Sequence, residues 1–224
     1  MYLCQYVRMP ESPARRRLSP QDRRSELLAL GAEVFGQRPY DEVRIDEIAE
    51  RAGVSRALMY HYFPDKRAFF AAVVRAETER LFEATNTLVA QGETLFERLR
   101  AGVVAYIRYD EQHPHGAWAA YIGMGRTDPV LRGIDDTDNE RQMQRIMAAI
   151  TDVVQGDLDS KVERDLRAIV YAWLAFTFEL CRQRVLDPSI DADHLADSGA
   201  HALLDAIVRV PGIPAALAEA ADRR

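Results

Sequence analysis

The sequence has few of the residues that mark secreted, metal-bound or membrane proteins. It contains only two cysteines, Cys4 and Cys181, among 224 residues. This number and spacing do not suit a disulfide framework or a metal cluster, and they favour reduced thiols in a cytosolic protein. No run approaches the roughly 18 consecutive apolar residues of a membrane span, and no apolar stretch of signal-peptide length lies near the start. We therefore expect neither secretion nor membrane insertion.

Sequence signatures of the common enzyme classes are also missing. The chain has no Gly-rich phosphate loop, no nucleophile elbow and no metal-ligand motif, which are the patterns that reveal such sites in a sequence. We expect a protein that is not an enzyme and that needs no cofactor or metal.

The charge of the chain is unevenly distributed. The net charge is −6, yet residues 1–70 hold 12 Lys/Arg against 10 Asp/Glu, and the rest of the chain holds 17 against 25. The positive end is therefore the N-terminal one, where it can attract phosphate groups. The asymmetry is modest, and many enzymes also have uneven surfaces.

The periodicity of apolar residues predicts helices throughout, without strand alternation. The first helix starts at Ser19-Pro20, a cap followed by proline, and ends at Gly36. Further helices are predicted over 45–51, 55–62, 65–85, 95–107, a short piece around 118–122, 129–133 with Gly133 as its end, 143–153, 160–186 and 192–209. The predicted class is all-α, and residues 211–224 are expected to form a tail.

The most informative stretch is residues 45–70. Two short helices that cross steeply need a small residue at the crossing and a glycine in the turn, and Ala49 and Gly53 suit these roles. Ser55 can cap the second helix. We expect the inward residues to be Ile45, Ile48, Val54, Leu58 and Tyr62, and the outward ones to be Arg56, Ala57, Tyr60 and His61.

The outward set can bind phosphates, base edges or thymine methyl groups. Asp65 can cap the next helix, and Lys66 at its start can bind a phosphate together with the exposed helix amides. An Ala-x-x-x-Gly turn alone also occurs in proteins that do not bind DNA. The full run with its cap, outward aromatic residues and trailing Pro-Asp-Lys favours DNA binding.

This run, Ile48-Ala49, Ala52-Gly53-Val54-Ser55 and Tyr60-His61-Tyr62-Phe63-Pro64-Asp65-Lys66, resembles the DNA-binding head of the TetR family of repressors over about residues 24–75. The resemblance implies a three-helix helix-turn-helix head and a larger helical domain for ligand binding and dimerisation. It implies that the helix at 55–62 enters the major groove, that Tyr60 and Lys66 hold phosphates, and that the helices at 160–186 and 192–209 form a homodimer.

Two positions depart from the family pattern. Many members have a capping threonine at the start of the first motif helix, where this chain has Val43-Arg44, so the cap is lost and Arg44 is a candidate phosphate contact instead. The lysine is commonly followed by Glu-x-Leu, and here Arg67-Ala68-Phe69 follows. We accordingly divide the chain into an arm (1–18), a head (19–68, linked by the helix at 65–85), a body (69–210) and a tail (211–224).

The body contains aromatic residues and methionines that can surround an apolar or aromatic effector. At helical spacing such residues are more often core packing, so they are candidates only as a group. They are Tyr106, Tyr109, Trp118, Tyr121, Met124, Met143, Met147, Trp173 and Phe176.

Three other features have simple alternatives. His113 and His115 flank a proline and could bind a metal, but a helix-ending turn explains them better. The acidic residues 135–140 lack the glycine and ligand pattern of a calcium loop and suit a solvated loop. The arginine run 15–17 suits either an arm that reaches DNA or a flexible start.

We therefore expect a cytoplasmic, nucleoid-associated repressor that binds a double-stranded DNA operator as a homodimer and is released by a small apolar or aromatic effector. The alternative is an effector-independent protein of the same fold that binds DNA or organises the chromosome.

Overall fold

A computed structural model describes residues 18–89, 92–112 and 129–223. These residues form helices and connecting turns, without a strand among them, which confirms the all-α class. No helix in these ranges is long and apolar enough to cross a membrane. Trp118, Tyr121, Met124, His113, His115 and the arm at 1–17 lie outside the described residues.

The head begins with the predicted cap. The Ser19 hydroxyl accepts a hydrogen bond from the backbone N–H of Asp22 (3.1 Å), and Pro20 occupies the first turn. The head helices are α1 (Pro20–Gln37), α2 (Ile45–Arg51) and α3 (Arg56–Tyr62), with a 3-10 turn at Tyr40–Glu42 between α1 and α2. The longer helix α4 (Lys66–Val89) leads away from the head.

A close approach between α1 and α4 holds the head core together. Gly31 lies on the buried face of α1, and a Cβ atom there would lie 2.5 Å from Phe69 Cζ and 2.7 Å from Val73 Cγ2. Phe69 in turn packs against Phe35 and Phe63, with ring centroids 5.8 Å and 4.8 Å apart. Because only hydrogen fits at residue 31, this glycine sets the distance between the two helices.

In the described part of the body, five helices surround a second apolar cluster. They are α5 (Leu95–Gln112), α6 (Pro129–Val154), α7 (Ser160–Leu186), α8 (Ala192–Ile207) and α9 (Ala215–Asp222). Trp173 on α7 donates from its indole nitrogen to the backbone oxygen of Gly199 on α8 (2.6 Å), and Leu203 is fully buried. These residues therefore hold α7 against α8 within one chain.

Two boundaries differ from the sequence prediction. Gly133 does not end a helix, because α6 continues through it and buries Leu131 and Ile134 in the head cluster on either side. This burial offsets the roughly 1 kcal/mol that a glycine costs a helix. Residues 211–224 include α9, whose Leu217 and Ala221 are buried in the body cluster.

Two Gly→Ala substitutions test the close approach. Gly31→Ala is expected to lower the free energy of unfolding by about 1–3 kcal/mol, because the methyl group would overlap the Phe69 ring. Gly133→Ala is the matched control: no described atom lies within 4 Å of its Cβ position, so higher helix propensity is expected to raise stability by about 0.5–1 kcal/mol. Urea unfolding of both full-length variants checks this. Equal effects of the two substitutions would contradict the close approach.

Candidate nucleic-acid interface

The turn between α2 and α3 has the geometry that the sequence predicts. Ala49 is buried at the helix crossing, and Gly53 has φ 62°, in the left-handed region that favours glycine. The N–H of Val54 donates to the oxygen of Ala49 (2.9 Å), and the N–H of Gly53 donates to that of Glu50 (2.9 Å). These bonds close the turn, and α3 begins three residues after Gly53.

The two ends of α3 are fixed locally. The Ser55 hydroxyl accepts a hydrogen bond from the N–H of Leu58 (3.1 Å), as predicted for the cap. On the inner face, Met59 is fully buried and Phe63, which follows the last turn, is 2% exposed. Because Ser55 closes the first turn and Met59 anchors the middle, the opposite face of α3 is held outward.

The inward set predicted for this motif is wrong at one position. Ile45 and Ile48 are buried, and Val54 and Tyr62 pack half-buried against the head cluster, but Leu58 is 37% exposed. The inner face of α3 follows Met59 and Phe63, and one residue corresponds to about 100° of helix rotation. Leu58 is therefore turned out of the core. If Phe63 is placed on the buried face, counting back at about 100° per residue puts Leu58 away from that face.

The side chains predicted to face outward on α3 are exposed. Ser55, Arg56, Ala57, Tyr60 and His61 all lie at the surface, and Tyr60 is 41% exposed. Arg56 also pairs with Asp46 on α2 (2.8 Å). The pair is open to solvent on the side of Arg56, whose side chain is 69% exposed, whereas that of Asp46 is 25% exposed.

Arg44 precedes α2 and is exposed. In the part of the chain that the structure describes, no side chain caps the first turn of α2, as expected from the missing threonine. The Arg44 side chain therefore extends from the surface beside a helix start that already carries Asp46 and Glu47.

Lys66 lies at the start of α4 but contacts the head in a way that the sequence did not indicate. Its ammonium nitrogen lies 4.3 Å from the centre of the Tyr40 ring and donates to the backbone oxygen of Asp41 (3.3 Å). Asp65 caps α4 by accepting from the N–H of Ala68 (2.7 Å). The lysine is thus positioned by a ring and a carbonyl, without a carboxylate contact within 4 Å among the described residues.

The positive balance of the N-terminal part does not come from the head helices. Residues 18–70 hold eight Lys/Arg against nine Asp/Glu, and the excess of arginine lies in residues 1–17 with Arg8 and the run 15–17. Several head arginines are also paired internally, for example Arg38 with Glu47 and Arg51 with Glu33 (2.6 Å each). The head described by the structure therefore presents a few exposed cations and no broad basic surface.

Most of the pocket candidates that the structure describes are buried or half-buried, and one is exposed. Met143, Met147 and Trp173 belong to the body cluster, and Tyr106 packs against it. Tyr109 is buried, and its hydroxyl lies 3.2 Å from Glu77 Oε2, so burial first and this carboxylate second raise the pKa of Tyr109. Phe176 is 43% exposed and is not part of the body cluster, because it lies about 60° around α7 from Trp173 and about 100° from Thr177, at the edge of the buried face.

The acidic residues 135–140 lie within α6 and do not form a loop. Glu140 accepts a hydrogen bond from the hydroxyl of Tyr171 on α7 (2.6 Å), and this bond, with others, lowers the pKa of Glu140. Desolvation raises the pKa of Asp138. The described ranges contain no group of three or more side chains arranged to hold a metal ion.

The family model described as "Bacterial regulatory proteins, tetR family" matches residues 27–73, which are the head and the start of α4. Curated relatives include the transcriptional activator FasR of Mycolicibacterium smegmatis, 34% identical over 45% of this chain and 46% of FasR. They also include the regulator BetI of Brucella melitensis, 31% identical over 49% of this chain and 57% of BetI. The nucleoid occlusion factor SlmA of a Marinomonas strain is 28% identical over 42% and 47% of the two chains. The chain thus spans about half the length of the curated relatives that it matches.

Solved structures extend the likeness of the fold to the body. A tetR-family regulator from Streptomyces coelicolor superimposes with a TM-score of 0.72 at 20% identity, covering 92% of this chain and 89% of that one. FadR of Bacillus subtilis, solved with stearoyl-CoA, gives a TM-score of 0.66 at 18% identity over 85% and 99%. The head thus matches the tetR family of bacterial regulatory proteins over residues 27–73, and the chain shares the fold of solved tetR-family regulators.

Proposed function

We propose that the protein binds a double-stranded DNA operator as a homodimer and represses transcription until a small apolar or aromatic molecule releases it. The observation that carries this proposal is the presentation of α3. Its inner face is fixed by Met59 and its outer face exposes Ser55, Arg56, Tyr60 and His61. A short helix presented in this way fits the major groove, which admits one α-helix.

The surrounding residues suit contacts to the DNA backbone. We assign Tyr60, Lys66 and Arg44 to phosphate groups, and Ser55, Arg56, Ala57 and His61 to the groove and its edges. The Tyr40 ring beneath Lys66 leaves the ammonium charge unneutralised by any carboxylate among the described residues, which favours a phosphate partner. A DNA target also implies a cytoplasmic, nucleoid-associated protein.

Dimerisation through α7 and α8 is supported by an apolar stripe. Ala168, Tyr171, Ala172, Ala175 and Phe176 are all exposed and recur at three- and four-residue spacing along one face of α7. Small residues beside an exposed phenylalanine allow two copies of the helix to approach closely. A two-fold pair would present two α3 helices to successive major grooves, about 34 Å apart.

The body cluster supports an apolar effector. Met143, Met147 and Trp173 belong to this cluster and Tyr106 packs against it, and adaptable methionines with aromatic rings are suited to bind an apolar ligand. The neighbour FadR was solved with stearoyl-CoA, a ligand with a long apolar chain. We propose repression because occupation of an operator can block a promoter without any further contact.

The DNA proposal predicts a salt-dependent interaction in which Lys66 takes part. Lys66→Ala and Tyr60→Ala are expected to weaken binding to a duplex that the wild-type protein selects from a random-sequence pool. Lys66→Ala is also expected to reduce the slope of log affinity against log salt by about one, because one phosphate contact is lost. Fluorescence anisotropy at several salt concentrations measures both effects.

The other lysine of the chain provides the control. Lys161 is exposed on α7, and Lys161→Ala is expected to leave affinity and slope unchanged. A wild-type affinity that does not vary with salt would contradict the proposal.

The dimer proposal predicts that a charge on the stripe separates the protomers. Phe176→Asp is expected to give monomers at micromolar concentration, because two carboxylates would be buried against each other. Val130→Asp is the matched control, since Val130 on α6 is similarly exposed (42%) but lies outside α7 and α8. Sedimentation velocity distinguishes the two states, and a Phe176→Asp protein that remains dimeric would place the interface elsewhere.

The effector proposal predicts that an apolar chain stabilises the protein and weakens DNA binding together. Stearoyl-CoA is expected to raise the melting temperature and to lower duplex affinity by about 10-fold or more, whereas coenzyme A without the acyl chain does neither. If stearoyl-CoA and a panel of apolar and aromatic acids leave both quantities unchanged while the duplex still binds, the effector-independent alternative is the better description. The likeness to a relative named as a nucleoid occlusion factor supports this alternative.

A further inference from the structure

Leu58 is a large apolar side chain on the outer face of α3. It is 37% exposed, whereas the other leucines of the head helices that pack inward, Leu27 and Leu28, are 0% and 5% exposed. The core does not need Leu58, because Met59 fills the inner face of the same turn. Packing within the head therefore does not explain why a leucine occupies position 58.

The backbone holds Leu58 in place. Its N–H donates to the Ser55 hydroxyl (3.1 Å), which fixes it as the third residue of the first turn of α3. Recognition helices contact base edges mainly with residues of this first part. Leu58 is thus held in place in the part of α3 that corresponds to the base-contacting part of a recognition helix.

We infer that Leu58 reads the C5-methyl group of thymine in the operator, an inference that rests on the proposed DNA binding. In the major groove only thymine offers a methyl group, and apolar side chains recognise it by contact. The neighbouring exposed side chains suit this contact less well, because Ala57 is too short to reach far and Arg56 and Tyr60 have polar ends. Leu58 is the one side chain of the exposed α3 surface that can cover a methyl group with branched apolar carbon.

Leu58 is expected to favour operators with thymine at the contacted position, with little effect on the affinity for DNA in general. Burial of one methyl group contributes about a 4-fold change in affinity. Because 5-methylcytosine carries its methyl group at the same ring position, it is expected to replace thymine partly at the site that Leu58 contacts.

The test combines a change in the protein with a change of single atoms in the DNA. Wild-type protein selects a duplex from a random-sequence pool, and each thymine of one half-site is then replaced in turn by deoxyuridine, which lacks only the methyl group. Affinities of these duplexes are measured for the wild-type, Leu58→Ala and Leu186→Ala proteins. Leu186 is 45% exposed at the end of α7 and provides the same substitution away from the head.

We expect deoxyuridine at one or two positions to weaken the wild-type and Leu186→Ala proteins about 4-fold each, and to leave Leu58→Ala unaffected at those positions. Leu58→Ala is expected to fold, because alanine favours helix and Leu58 is not part of the head cluster, and circular dichroism and melting temperature check this. At the same position, 5-methylcytosine should bind the wild-type protein better than cytosine.

Two outcomes overturn the inference in different ways. If the wild-type protein binds the selected duplex but deoxyuridine weakens wild-type and Leu58→Ala equally, or nowhere, the methyl contact is wrong while the proposed function stands. If the wild-type protein retains no duplex from the pool even at low salt, the proposed function fails and the inference fails with it.

Discussion

The left-handed backbone at Gly53, closed over the buried Ala49, is the constraint on which the rest of the head depends. Its hydrogen bonds turn the chain within three residues, and only this turn places Met59 and Phe63 against the head core while the other face of α3 stays outside. A bulkier residue at position 49 would push the crossing apart, and a β-branched residue at 53 would strain the turn. The exposed side chains of α3 are therefore a consequence of two small residues that contact no ligand themselves.

Among the described residues, two helices, α4 and α6, connect the head core to the body. α4 carries Phe69 and Val73 in the head core and continues toward the body, and the first turns of α6 bring Leu131 and Ile134 back to the same core. Polar contacts tie the two helices along their length, since Arg141 pairs with Glu79 (2.6 Å) and Arg145 donates to the Thr85 hydroxyl (3.1 Å). In the proposed regulator, a ligand that moved α6 would therefore also change the position of the head.

Local signals of the sequence were sufficient for most of the head. Caps at Ser19 and Ser55 and the small residues at 49 and 53 each act over a few residues, so the pattern predicts them directly. Leu58 was misplaced because its inward position was inferred from apolarity, whereas helical phase relative to Phe63 decides it. Gly133 and the helix over 215–222 were misread because burial by distant parts of the chain stabilises them, and no local pattern reports that burial.

The residues of the candidate sites also differ in whether a local sequence pattern predicts their position. The exposure of Ser55, Arg56, Ala57, Tyr60 and His61 follows from one short motif, so it was predictable. The contact of Lys66 with the Tyr40 ring joins residues far apart in sequence, and the exposure of Phe176 depends on which face of α7 meets α8. Apolar residues at helical spacing suit a core, a pocket or a dimer equally, and only packing distinguishes these three roles.

Hydrogen–deuterium exchange of the full-length protein, with and without its selected duplex, tests the central claim most directly. We expect DNA to slow amide exchange over the Gly53 turn and α3, while exchange in α7 and α8, the helices of the proposed dimer, is unchanged. Unaltered exchange over residues 53–62 in the presence of a tightly bound duplex would contradict this expectation, because the helix that the whole head is built to present would then not be the one that meets DNA.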